Sequence, residues 1–218
     1  MKLVAPGVHH LRGFPPNAIN VYLVEDVLID AGTNLAARRV LRQLHGRTVR
    51  AHAITHAHAD HYGSSARVCE ELGIPFWCGE KDVPVVESGE IPWAPPQPGW
   101  VRRIPAPPPQ KVDRALNEGD EVAGFQVLDA PGHAVGHVAY WRESDRTLIL
   151  GDVLINIHPF TGLPGLREPP AALTYDPVLN RESARKLALL EPALAVFGHG
   201  PPLRDTKKFV DFVGSLSD

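Results

Sequence analysis

The segment Thr55-His56-Ala57-His58-Ala59-Asp60-His61-Tyr62-Gly63 constrains this chain more than any other, because it packs four potential metal ligands, His56, His58, Asp60 and His61, into six residues. Imidazole nitrogen and carboxylate oxygen both suit zinc, manganese and iron. Ligands two residues apart on an extended or tightly turning segment can converge on one ion while the next pair reaches a second. So dense a cluster exceeds what one tetrahedral ion needs. Closed structural zinc sites are usually thiolate-rich, and no Cys lies nearby, so the pattern points to a catalytic centre.

With 218 residues and 44% hydrophobic composition the chain can bury a full core, and its length fits one domain spanning 1–218. A net charge of -3 without any Lys/Arg run offers no electrostatic footprint for nucleic acid or an anionic membrane, which leaves a small-molecule substrate. Pro6 interrupts the N-terminus before an apolar run of secretory length can form, and no later segment approaches the span of a membrane helix; a cytoplasmic protein is expected. Cys69 and Cys78 sit in apolar contexts and read as buried free thiols rather than a disulfide. Oligomeric state has no signature.

Residues 20–30 read as two apolar strands around a Glu25-Asp26 turn, delivering Asp30 to a strand end. Thr33 or Asn34 then caps a helix with Leu35, Val40, Leu41 and Leu44 on one face and Gly46 at its exit. A short buried strand, 51–55, runs into the ligand cluster at its C-terminal end. A helix over 64–72 turns Val68, Cys69 and Leu72 inward, and a strand over 74–78 follows. Strand, helix, strand at this spacing indicates an α/β layer.

From about 84 to 109 recurring prolines exclude regular structure, while Trp93 and Trp100 supply large apolar surface; this reads as a loop flanking the site and touching substrate. A strand over 125–130 enters the turn Pro131-Gly132-His133-Ala134-Val135-Gly136-His137. A hairpin of 138–141 with 147–150 ends at Gly151-Asp152. Beyond a Gly/Pro-rich segment, 159–170, a helix over 181–190 turns Ala184, Leu187 and Leu190 inward. The strand 194–197 delivers Gly198-His199-Gly200, and Thr206 caps a last helix bearing Phe209, Val210, Val213 and Leu216.

One pattern recurs. Asp30, the His56 cluster, Asp152 and His199 each stand at a strand end close to glycine, and His133 lies in a Gly-flanked turn. These residues predict one shared site at a common sheet edge.

Leu28-Ile29-Asp30-Ala31-Gly32, the 55–61 cluster, Pro131-Gly132-His133, Gly151-Asp152 and Gly198-His199-Gly200 resemble, in order and approximate spacing, the signature segments of the metallo-β-lactamase superfamily. The resemblance runs from about residue 18 to 203. It implies an α/β (α+β) fold, a four-layer αββα sandwich with two sheets face to face and a dinuclear site along one edge. By the same resemblance His56, His58 and His133 hold a first metal, Asp60, His61 and His199 hold a second, and Asp152 bridges them. Asp30 then orients the cluster by hydrogen bonding, and His137 resembles a further His of the family's third segment with a supporting duty. His9, His10, His45, His52 and His158 read as structural or solvated. Asn156, His158 and Tyr175 lie in segments able to face substrate.

The glyoxalase II-like branch is the nearest resemblance, through His61, Asp152 and the Pro131 to His137 segment, with Ala134 where Thr is common. It implies two divalent cations, Zn2+ first with Fe or Mn as alternatives, and a metal-bridging hydroxide that attacks a small ester or thioester, with Asp60 and Asp152 as the catalytic carboxylates. The drug-hydrolysing subgroup commonly carries Cys where Asp152 stands and lacks a His at position 61. Glutathione contacts in the glyoxalase II enzymes come from a helical C-terminal domain, and the chain ends soon after its last ligand. Three alternatives stay open: a lactonase, a mononuclear iron dioxygenase of persulfides using His56, His58 and His133, and a metal-binding scaffold without chemistry.

Overall fold

The computed structural model describes residues 1–92, 99 and 107–217, so Trp93 and Trp100 lie outside the described residues. Strands β1 (Lys2–Ala5), β2 (Val8–His10), β3 (Tyr22–Val24) and β4 (Val27–Ile29) form an antiparallel meander, with the Glu25-Asp26 turn closing its last hairpin. Helix α1 (Ala37–Leu44) crosses to β5 (Ala51–Ala53), parallel to β4. The helical turn α2 (Ala59–Tyr62) and helix α3 (Ser65–Leu72) cross to β6 (Phe76–Gly79), and α4 (Val83–Ser88) precedes β7 (Arg114–Leu116), which completes a seven-stranded sheet in sequential order.

The second sheet holds β8 (Glu121–Val122), β9 (Phe125–Asp129), β10 (Val138–Arg142) and β11 (Thr147–Ile149). A separate ribbon of β12 (Ile155–Ile157) and β13 (Pro164–Arg167) follows, and α5 (Pro177–Ala188) leads to β14 (Leu194–Val196), which joins the second sheet parallel to β11. Helix α6 (Thr206–Gly214) comes last.

Alternation along the strands builds the layers. Tyr22, Val24, Val27 and Ile29 face Phe125, Val127, Val138, Tyr140 and Val196 between the sheets. Their neighbours point the other way: Leu23 and Leu28 meet Val40 and Leu44 of α1 and Val68 of α3, while Ala139, Trp141, Leu148 and Ala195 meet Leu187 of α5 and Phe209 of α6. Both faces of each sheet are therefore covered, which is why the strands read as apolar runs. Each fully buried Leu, Val or Phe contributes about 1.5–3 kcal/mol. The result is the expected αββα sandwich.

Several boundaries depart from the sequence pattern. α1 starts at Ala37 without a side-chain cap, so Leu35 falls before the helix and is 88% exposed. α4 carries Pro84 in its first turn, where the missing N–H is no loss. α5 begins at Pro177 because Asp176 accepts from the N–H groups of Val178 and Leu179. Asp205, not Thr206, caps α6 by accepting from the Lys208 N–H. Leu72, expected to point inward, is exposed at the end of α3, and the 159–170 segment contains β13. None of the described helices is long and apolar enough to cross a membrane.

Candidate metal centre

Strand ends from both sheets meet at one edge. Asp30, just past β4, adopts a left-handed backbone (φ 60°), a conformation costing roughly 1 kcal/mol for a residue with a Cβ. Its carboxylate holds it there, accepting from the Thr55 N–H at 2.8 Å and the Thr55 hydroxyl at 3.0 Å, with His61 Nδ1 at 2.8 Å. At the end of β14, a Cβ on Gly198 would lie 2.1 Å from Asp152 Oδ1 and 2.6 Å from His61 Cε1, so only glycine lets that strand exit pass so close.

Second partners set the tautomers of the imidazoles. The single proton of the Thr55 hydroxyl goes to Asp30, so the oxygen accepts from His56 Nδ1–H, 3.0 Å away. The Thr174 hydroxyl donates to the Pro170 carbonyl at 3.1 Å and accepts from His133 Nδ1–H at 3.2 Å. His61 Nδ1–H donates to Asp30, and His199 Nδ1–H to the carbonyl of Ala18. His56 and His133 are thereby left with Nε2 as the lone pair, and on His61 and His199 Nε2 is the nitrogen that faces the carboxylates of Asp60 and Asp152. His137 Nε2 accepts the Asp152 N–H at 3.1 Å, and its ring stacks on His56 at 4.8 Å.

The ligand atoms converge. His58 Nδ1 is 3.0 Å from His133 Nε2, His199 Nε2 is 3.0 Å from Asp152 Oδ2 and 3.2 Å from Asp60 Oδ2, and His61 Nε2 and His133 Nε2 are 3.5 and 3.6 Å from Asp152 Oδ2. Within 4.8 Å the donor atoms fall into three groups: His56, His58 and His133; His56, His61 and Asp152; Asp60, His61 and His199. Among the described residues, His56 Nε2, His61 Nε2 and Asp152 Oδ1 are buried without a hydrogen-bond partner. A proton on His58 Nδ1 donated to His133 Nε2 satisfies that pair, whereas the orphaned buried atoms are costly unless a cation meets them.

The charges agree. Burial, reinforced by the surrounding imidazoles, holds His56 and His133 well below the usual histidine range and is the main reason His58 falls to about 4. Burial also opposes charge on His61, but Asp152, Asp30 and Asp60 outweigh it and raise the ring to about 10; Asp152 and Asp60 raise His199 likewise. Despite burial, Asp60 and Asp152 stay well below the ordinary carboxylate range because His61 and His199 face them. Three imidazoles are thus neutral and ready to ligate, while two carry protons that a divalent cation would displace. An all-nitrogen group beside a mixed nitrogen and carboxylate group fits two zinc, manganese or iron ions.

The centre forms one wall of a cavity of about 850 Å³, where His58, Asp60, His133, Asp152 and His199 are exposed to it. Pro15, Pro107, Ile155, Ile157, Phe160 and Leu173 supply an apolar lining opposite. Clefts of this size and character take small organic molecules.

Residues 14–199 match the profile described as the metallo-beta-lactamase superfamily. The chain belongs to that superfamily. Among similar superfamily proteins, the probable metallo-hydrolase YflN of Bacillus subtilis (strain 168) is 30% identical over 91% of this chain and 86% of its own length. The hydroxyacylglutathione hydrolase GloC of Haemophilus influenzae is 26% identical over 67% of this chain and 66% of its own. The crystal structure of TTHA1623, in a di-iron-bound form, superposes with a TM-score of 0.63 at 34% identity, covering 87% of this chain and 91% of that one.

In this superfamily chain all seven residues put forward as ligands come together at one edge, and Asp30 and His137 stand beside them. Asn156 and Tyr175 do not reach the cavity wall. The Asn156 amide instead donates to the Pro201 carbonyl at 2.7 Å, and Tyr175 is joined to the His133 segment through its backbone N–H. His158 does line the cavity. His52 is structural, its nitrogens bonded to Leu28 and Ser65, and Cys69 and Cys78 are free thiols, their pKa values raised by burial. Sequence reasoning missed Thr55 and Thr174 as orienting groups, and Asp82, whose carboxylate accepts from the Ala57 and Gly136 N–H groups. Asp82 follows the end of β6 as Asp30 follows β4, so the strand-end pattern carried its signal.

Proposed function

We propose that this protein is a dinuclear metal-dependent hydrolase of a small ester or thioester. The observation that carries the reading is the pair of donor groups, His56–His58–His133 and Asp60–His61–His199, linked through Asp152 on the wall of a mainly apolar cavity. In this reading the first group would hold one divalent cation and the second another, with Asp152 serving both. Two such cations supply a water of near-neutral pKa and polarise the carbonyl it attacks.

The chain's own residues do the rest. Asp60, held ionised by His61 and His199 and part-exposed to the cavity, accepts a hydrogen bond from the attacking water and so aims it. Asp152, fixed by its backbone bond to His137, keeps both donor groups at constant separation. Ile155, Ile157 and Leu173 exclude bulk water, which strengthens every charge interaction in the site. The likeness to a hydroxyacylglutathione hydrolase supports cleavage of an acyl bond, with a lactone as the next candidate, and the likeness to a di-iron structure keeps iron beside zinc as the metal.

Elemental analysis of protein purified without added metal or chelator tests this. About two zinc, manganese or iron ions per chain, with turnover in a thioester and lactone panel, is the expected result. One iron per chain, with oxygen consumed on a persulfide and no ester cleavage, would overturn it in favour of a dioxygenase.

A further inference from the structure

Asp82 has no part in the chemistry above, yet it joins the segments on which that chemistry depends. β6 ends at Gly79, and a single 3-10 turn, Glu80–Asp82, carries the chain to a position where the Asp82 carboxyl is 1% exposed. Its Oδ2 accepts from the Ala57 N–H at 2.9 Å, and its Oδ1 from the Gly136 N–H at 2.8 Å. Ala57 lies between His56 and His58. Gly136 lies three residues past His133 and directly precedes His137. The first segment leaves β5 of one sheet and the second connects β9 to β10 of the other, so one carboxylate ties together a ligand-bearing loop from each sheet.

The junction admits no slack. A Cβ on Gly136 would lie 2.2 Å from the Asp82 backbone nitrogen and 2.7 Å from its Oδ1, and one on Gly79 would lie 2.2 Å from the Gly136 carbonyl oxygen. Among the described residues no cationic side chain pairs with Asp82, and burial pushes its carboxyl up to about 6 against the pull of the two N–H groups. Burying such a carboxyl is costly, and an apolar replacement would strand two buried donors. A backbone bond from the Val138 N–H to the Thr55 carbonyl at 2.8 Å joins the same segments two residues away on each side, and Asp82 extends the tie to Ala57 and Gly136 themselves, next to the ligands.

We propose that Asp82 is a positioning residue for metal binding: by clamping the 56–58 segment to the 133–136 segment it sets the 3.0 Å approach of His58 Nδ1 to His133 Nε2, and with it the affinity of the His56–His58–His133 group for a divalent cation. This rests on the ligand assignment proposed above. The Asp60–His61–His199 group is anchored elsewhere, through Asp30 and the carbonyl of Ala18, so loss of the clamp acts on one ion and spares the other.

Asp82→Asn keeps the shape but presents an amide donor to one of the two N–H groups. Metal-free wild type and D82N are titrated with Co2+, followed by visible absorption, with circular dichroism as the check on folding. The wild type takes up two ions. D82N binds one within about threefold of the wild-type affinity and the other at least tenfold more weakly, as loss of an outer partner does at metal sites. Asp82→Glu keeps both acceptors on a longer arm, pushes the two loops apart, and weakens the same ion. Unaltered binding of both ions by D82N and D82E overturns the clamp while leaving the dinuclear reading intact, and equal weakening of both ions reduces Asp82 to a structural residue. A wild type that binds no Co2+ refutes the ligand assignment and this inference with it.

Discussion

The Thr174 hydroxyl stands 3.2 Å from His133 Nδ1, and because its own proton goes to the Pro170 carbonyl it acts on the ring only as an acceptor. Thr55 does the same for His56, passing its proton to Asp30. Two hydroxyls thus fix two tautomers in the all-histidine group.

Thr174→Val preserves the volume and removes the acceptor. The His133 Nδ1–H is then stranded in a buried site, and metal affinity is expected to fall by about 10–100-fold, with kcat/KM following. Thr174→Ser retains the hydroxyl and most of the affinity. A chelator competition assay on both variants checks this; wild-type affinity in Thr174→Val would remove the orienting role.

Asp152→Ala takes away the carboxylate that faces His61, His133 and His199, and His58→Ala takes away the partner of His133. Each is expected to release metal and lower kcat by on the order of 10³-fold or more. Elemental analysis beside turnover reads both effects. Full activity in either variant would refute the dinuclear assignment.

His52 offers a pH signature away from the centre. Burial lowers it to about 4, and in the neutral form its ring bonds the Leu28 carbonyl and the Ser65 hydroxyl. The unfolded chain holds the ordinary value near 6.5, so between the two values the unfolded state binds more protons. Stability from this residue is complete above about pH 6.5 and lost as pH falls toward 4, by roughly 3 kcal/mol in all. Urea midpoints of metal-free wild type and His52→Gln should therefore differ most at pH 7 and converge near pH 4.5. A pH-independent difference would show that His52 does not titrate with folding.

The centre was legible because ligands at strand ends are local in sequence: each of Asp30, His56, Asp152 and His199 announces itself beside a glycine or a buried strand. The sandwich was legible for a similar reason, since strands covered on both faces become apolar runs such as 27–29 and 194–196. What failed to show were partners supplied from a distance. Thr174 reaches His133 across 41 residues and Asp82 reaches Gly136 across 54, and neither residue type is unusual on its own. Helix starts slipped for a different reason. At Asp176-Pro177 a cap and proline extend α5 beyond its apolar periodicity, whereas at Leu35 an apolar residue falls ahead of the first turn.

Phe160 bears on what the cavity accepts. It lines the cavity with Ile157 and His158 yet is 94% exposed, an apolar ring that a bound molecule could cover. Covering such a ring on binding contributes about 1–2 kcal/mol. Phe160→Ala is therefore expected to raise KM roughly tenfold with kcat and metal content nearly unchanged, the pattern of an interaction equal in ground and transition states. The Trp93→Ala, Trp100→Ala double variant carries the same expectation from the sequence, where the two rings read as flanking the site. Steady-state kinetics on the best substrate of the thioester and lactone panel measures both. An unchanged KM in both would mean that substrate reaches the metals without touching aromatic surface, and a fall in kcat with metal loss would place Phe160 in support of the centre instead.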